Sequence, residues 1–218
     1  MGLMTMFHAS GSRELGHVSP PVAVYDEFVA QVPTTLCLKE SAWSLSGDDF
    51  GITDANTRKT ILKCKGKYMS LHDRKSETLL VRADPEIESP DGKLLYNMAD
   101  KMLAIRKTTV AEDDHGREVL RVTKKWSPGS KLSATAVDKS DRELTIVLNG
   151  DMYGVSANIE LKDGTPLAHI SRKLVTATDM VADKQTYYVT VAPGVDVSLM
   201  AAVCICFDEA MNEEKEDK

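Results

Sequence analysis

Tyr188-Val189-Thr190-Val191-Ala192-Pro193-Gly194-Val195-Asp196-Val197-Ser198-Leu199-Met200-Ala201-Ala202-Val203-Cys204-Ile205-Cys206-Phe207 is the stretch whose reading decides the fold. It opens with the aromatic and β-branched residues of a strand, which Pro193-Gly194 ends in a turn. The texture then changes. Leu199-Met200-Ala201-Ala202 favours helix, and from Leu199 to Phe207 no polar stripe interrupts the apolar residues, so the helix is expected to be buried all round. Leu199, Ala202, Val203 and Cys206 are its expected core positions. Only about 13 residues run from Val195 to Phe207, whereas a bilayer span needs about 20. A soluble core helix is therefore expected, and not a transmembrane one.

Upstream of this stretch the chain reads as short strands separated by turn signals. They are Thr35–Lys39, Trp43–Leu45, Phe50–Asp54, Thr60–Tyr68, Lys93–Asn97, Met102–Arg106, Glu118–Thr123, Leu132–Val137, Leu144–Leu148, Tyr153–Leu161, Leu167–Val175 and Thr186–Val191. In Thr60–Tyr68, Leu62 and Cys64 alternate with Lys63, Lys65 and Lys67, as a strand with one wet face requires. Asp91-Gly92, Asn149-Gly150 and Asp163-Gly164 are hairpin signals. About twelve strands at this spacing make the protein mainly β, an antiparallel barrel or sandwich. The recurrence of Asp-Gly before an apolar strand fits two related half-barrels, and fits recurrent hairpin chemistry equally well. Residues 1–33, with Pro20-Pro21 and little periodicity, read as a flexible lead-in. A domain over 34–211 and an acidic tail over 212–218 complete the expected division.

Charge and composition exclude several functions. The formal net charge is −6, with about a third of it in residues 1–34 and another third in the tail, so no basic field suited to nucleic acid exists. Cys37, Cys64, Cys204 and Cys206 form no CxxC pair and sit in apolar or alternating segments, which points to buried, reduced thiols and an intracellular setting. The start of the chain has no apolar core of a secretory signal. His8, His17, His72, His115 and His169 are scattered, and no hydrolase, metalloprotease, phosphate-loop or dinucleotide motif occurs. No catalytic residue, metal site or cofactor is expected. Gly47-Asp48-Asp49 and Glu112-Asp113-Asp114 read as solvated turns, because the further oxygen ligands of a calcium loop are missing.

The order of these motifs resembles the LURP-one-related family, whose fold is shared with the tubby C-terminal domain and the phospholipid scramblases. The resemblance rests on the run from Tyr188 to Asp196, the apolar helix, and Phe207-Asp208-Glu209. Asp91-Gly92-Lys93-Leu94-Leu95-Tyr96 and Asp163-Gly164 with Ile170-Ser171-Arg172-Lys173 support it. It extends over about residues 35–211 and departs from the family pattern between Leu71 and Pro90, where a tighter strand–turn is expected. The resemblance implies a closed barrel of about twelve strands around the C-terminal helix. Such a barrel is too wide for its own side chains to fill, and the helix is a suitable plug.

Tubby-like domains bind phosphoinositides through basic side chains on the barrel surface. By that analogy Lys63, Lys65 and Lys67, together with Arg121, Lys124 and Lys125 near Trp126, are the candidate lipid-headgroup residues; Arg172 and Lys173 form a further basic pair. A wet strand face explains the same lysines without a ligand. The expected protein is thus a non-enzymatic, monomeric cytoplasmic module that docks peripherally on anionic phospholipid headgroups or on a protein partner. The resemblance adds a link to stress or defence signalling. Scramblase-like lipid handling and a small-molecule-binding barrel are the alternatives.

Overall fold

The computed structural model describes residues 15–39, 50–72, 78–103, 106–124, 132–150, 156–171 and 186–216, with the backbone alone for parts of these segments, including Lys67, Lys124 and everything beyond Phe207. The strands are β1 (Thr34–Lys39), β2 (Phe50–Asp54), β3 (Thr60–His72), β4 (Thr78–Glu88), β5 (Leu94–Leu103), β6 (Arg106–Glu112), β7 (Glu118–Lys124), β8 (Leu132–Val137), β9 (Glu143–Gly150), β10 (Ser156–Leu161), β11 (Pro166–Ser171) and β12 (Thr186–Val191). One helix, α1 (Val197–Glu216), follows. Each strand pairs antiparallel with the next, and β12 returns to β1, from Thr34 opposite Val191 to Lys39 opposite Thr186. The barrel is closed, so no described strand is left as an edge.

Alternation explains which face each strand buries. On β9, Leu144, Ile146 and Leu148 are buried while Thr145, Val147 and Asn149 are only partly covered. The inward residues share one core cluster with α1, whose Leu199, Met200, Ala201, Ala202, Val203, Cys204, Cys206 and Phe207 are all fully buried. The helix therefore fills the lumen, as its lack of a polar face requires. It also runs to Glu216, through most of the acidic tail. The acidic residues predict an end near Phe207, but Glu and Lys are good helix formers, and that propensity outweighs a weak dipole term at an acidic helix C-terminus.

The strand count agrees with the sequence, but two strands differ. Met102–Arg106 straddles the end of β5 and the start of β6, and β4 and β6 are strands that their polar residues had hidden. Trp43–Leu45 and residues 172–175 lie outside the described residues. Between Leu71 and Pro90, residues 73–77 lie outside the described residues, and β4 pairs with β3 in a long ladder from His72 opposite Thr78 to Lys63 opposite Glu88. Its register shifts between Lys65 and Lys67, which leaves Asp84 and Pro85 outside the paired ladder. A bulge is where a strand can hold a proline, which has no N–H to donate.

The connections at one mouth of the barrel are described, and they repeat a chemistry. In the β6–β7 turn, Asp113 Oδ1 accepts from the backbone of His115 and Arg117, and its Oδ2 accepts from Arg117 Nε at 3.1 Å. In the β8–β9 turn, Asp138 does the same with Ser140, Arg142 and Arg142 Nε at 2.9 Å. Both aspartates are nearly buried, so Asp113 is a turn-forming residue and not a solvated one. Gly47-Asp48-Asp49 lies outside the described residues.

Residues 15–33 close this mouth. They are not a loose lead-in: Val18, Val22, Ala23, Val24 and Ala30 are buried. This strap grips residues 193–196 from two sides, with Val18 N to Pro193 O at 2.8 Å, Val22 N to Gly194 O at 3.0 Å and Ala30 N to Val195 O at 2.9 Å. A Cβ on Gly194 would lie 2.2 Å from Val18 O, and the residue sits at φ +83°, so only glycine fits. Composition hid this segment, because its order comes from backbone hydrogen bonds to residues more than 100 positions away.

Candidate functional site

Lys63 and Lys65 of β3 stand at the outer face, as the alternation required. Leu62 and Cys64 are fully buried between them, and burial pushes the Cys64 thiol far up from its ordinary value. Lys63 is exposed and its Nζ donates to Pro90 O. Lys65 Nζ lies 2.6 Å from Glu88 Oε1. Across the ladder, Lys63 faces Glu88 and Lys65 faces Glu86. The basic strip is thus laid beside an acidic one, which the sequence did not reveal because β4 was not read as a strand.

Arg121 on β7 is held by Glu118, with Nε to Oε1 at 2.6 Å and Nη2 to Oε2 at 2.7 Å. The backbone of Lys124 pairs with Leu132. Lys125, Trp126, Arg172 and Lys173 lie outside the described residues, as do the side chains of Lys67 and Lys124. Among the described residues, Lys63 and Lys65 lie on one strand and Arg121 on another that is not its neighbour. Four inter-strand steps separate β3 from β7, roughly 19 Å at about 4.8 Å per step.

A second polar constellation lies at the root of α1, and the sequence reading passed over it. Asp196 is fully buried and caps the helix, with Oδ1 accepting from Ser198 N at 2.8 Å, Leu199 N at 3.2 Å and Ser198 Oγ at 2.6 Å. Oδ2 accepts from the strap, Val24 N at 3.1 Å and Tyr25 N at 2.9 Å. Burial pushes the Asp196 carboxyl up from its ordinary value, against the pull of these donors. Ser198 Oγ also meets Tyr96 Oη at 3.1 Å, and burial raises the Tyr96 phenol well above its ordinary value. Tyr25 packs edge-on against Tyr96, donates from Oη to Leu95 O at 2.6 Å, and lies under Lys93 Nζ. Burial first, then Asp114 and Asp113, raises the Tyr25 phenol. The one available signal was positional, an aspartate just before an apolar helix.

Chemically, this constellation fastens one segment to another. Among the described residues no buried side-chain nitrogen or oxygen lacks a partner, and no cluster of ligating side chains suits a metal ion. His169, on β11, donates from Nδ1 to Asn158 Oδ1 at 2.8 Å, and its partner in that bond is neither an acid nor a nucleophile. No disulfide joins the four cysteines.

Comparison with known families decides the affiliation: the LURP-one-related profile matches residues 34–208. The chain belongs to the LURP-one-related family. The closed twelve-strand barrel with its C-terminal helix is the fold that the resemblance implied. The X-ray structure of a protein from Arabidopsis thaliana is similar over 88% of this chain and 99% of that one, at 15% identity and a TM-score of 0.40. No curated protein matched. Among the described residues, no helix is long and apolar enough to cross a membrane.

Proposed function

We propose that this LURP-one-related barrel is a non-enzymatic docking module that works through its outer surface in the cytoplasm. One observation carries the reading: α1 occupies the lumen, with eight of its residues from Leu199 to Phe207 fully buried. A small-molecule barrel needs an internal cavity, and a scramblase-like insertion needs an apolar helix that can reach lipid. Here the apolar helix is enclosed, so recognition falls to the outside.

The ligand favoured on that surface is an anionic phospholipid headgroup, met by Lys63, Lys65 and Lys67 of β3. Lys65 is 43% exposed while its partner Glu88 is only 9% exposed, so a phosphate would share the outward-facing ammonium and not displace the carboxylate, which would otherwise be left buried and unpaired. The acids of β4 temper the affinity. Peripheral attachment of a stress- or defence-related protein is the setting that family resemblance suggests for such a module.

Liposome co-sedimentation with and without phosphoinositides, at two salt concentrations, tests the reading. Wild type is expected to bind in a salt-sensitive manner, Lys63, Lys65 and Lys67 all changed to Ala to abolish binding, and Glu86→Gln with Glu88→Gln to strengthen it. Wild type that ignores every liposome removes the lipid reading and leaves a protein partner as the ligand of the outer face.

A further inference from the structure

The strap lies before the matched family region, which begins at residue 34, and its contacts have an uneven distribution. Its backbone bonds go to residues 193–196 and to Lys139, whose N donates to Ala23 O at 2.9 Å. At the rim it is held by Lys139 to Asp26, by Lys93 to Glu27 at 3.4 Å, and by Arg142 Nη2 to Pro21 O at 2.8 Å. These rim ties are exposed, and exposed ion pairs hold weakly. The barrel wall closes without the strap, through the β1–β12 ladder. Besides the apolar packing of Val18, Val22, Val24 and Ala30, the side chain that joins the strap to the root of α1 is the Asp196 carboxylate, one oxygen of which serves α1 and the other the strap.

We propose that residues 15–33 are a latch for the core helix: strap and helix share the Asp196 carboxylate, so that releasing the strap loosens α1 inside a barrel that stays closed. The division of the two oxygens makes the coupling specific. Four of the five donors are backbone N–H groups, which cannot reverse their role. An asparagine at 196 offers one carbonyl oxygen, so it can satisfy the helix or the strap but not both. Its NH2 would face N–H donors on the unsatisfied side. A strap attached in this way is a local unit that can open below the energy of global unfolding.

The thiols report on the latch. Cys204 and Cys206 are fully buried on α1, whereas Cys37 alternates with the buried Leu36 and Leu38 and faces away from the lumen. Two variants are compared with wild type: Asp196→Asn, and Lys139→Ala with Lys93→Ala, which cuts the ion pairs to Asp26 and Glu27 and leaves the carboxylate and the Asp138–Arg142 turn intact. Thiol labelling in native buffer is read by peptide mass spectrometry, alongside amide exchange at Val24 and Tyr25 and far-ultraviolet circular dichroism. The latch predicts faster exchange at Val24 and Tyr25. It also predicts labelling of Cys204 and Cys206 about tenfold or more faster, with Cys37 and the dichroism unchanged. If Asp196→Asn does not fold, the rim variant decides alone. The proposal is overturned if Val24 and Tyr25 remain protected in every folded variant. It is equally overturned if they exchange faster while Cys204 and Cys206 keep their wild-type rates, or if Cys37 accelerates in step with them.

Discussion

Replacing Asp196 with Ala removes five hydrogen bonds at once, and their sum sets a magnitude. Loss of an N-cap costs about 0.5–2 kcal/mol. The Val24 and Tyr25 amides each lose their acceptor, and a buried donor left without one costs about 1–3 kcal/mol; Tyr25 is only half-buried, so its share lies at the low end. The Ser198 hydroxyl keeps Tyr96 Oη as a partner, 3.1 Å away, and adds little. Against this stands the relief of a desolvated carboxylate, since burial already raises its pKa. A net loss of about 3 kcal/mol follows, a large part of the 5–15 kcal/mol by which domains are typically stable. Urea unfolding followed by circular dichroism measures it as a lower midpoint with an unchanged slope. Ser198→Ala is the milder control, at about 1 kcal/mol. A loss under about 1 kcal/mol for Asp196→Ala, or a gain, would refute the reasoning, because burial of the charge would then outweigh the five bonds.

Two further outcomes follow from single side chains. Ala202 is fully buried inside the barrel, so Ala202→Asp places a charge with no partner there, costs several kcal/mol and is expected to abolish the cooperative thermal transition; soluble protein with the wild-type Tm would show that α1 is not the core. Burial lowers the pKa of His169 below its ordinary 6.5, so the unfolded chain binds a proton that the fold resists. Stability contributed by His169 is thus present above 6.5 and is lost as pH falls from there to the lowered folded value. His169→Gln should flatten the stability slope over that window, and an identical slope in urea titrations of both proteins would remove His169 as its source.

How far the chain could be read depended on where the organising contacts lie. Hairpins bring neighbours together, so Asp91-Gly92 and Asp163-Gly164 were legible: both glycines hold positive φ, +92° and +91°. The alternation of Leu62, Lys63, Cys64 and Lys65 needed only the pleat of one strand. β4 and β6 were opaque for the opposite reason. Arg82, Pro85, Arg106 and Lys107 break the apolar pattern, and ladder hydrogen bonds to β3, β5 and β7 supply what side-chain pattern does not. At the candidate docking face the lysines themselves were legible, whereas Glu86 and Glu88 were not, because cross-strand neighbours are set by register. The spacing between β3, with Lys63 and Lys65, and β7, with Arg121, was likewise invisible, because strand order follows from closure of the barrel.

Sequence alone determined the material of the fold: strands of period two, turns with the residues that turns need, and one helix too apolar to face water. Those are local properties, written in stretches of about ten residues. Tertiary structure decided how the pieces close. The β1–β12 seam joins Thr34 to Val191, and the strap joins Val24 and Tyr25 to Asp196. In both cases the groups that bond are mostly backbone N–H and C=O, which every residue carries and no sequence pattern distinguishes. Only when the barrel has formed does one buried carboxylate stand between the strap and the helix, with an oxygen for each.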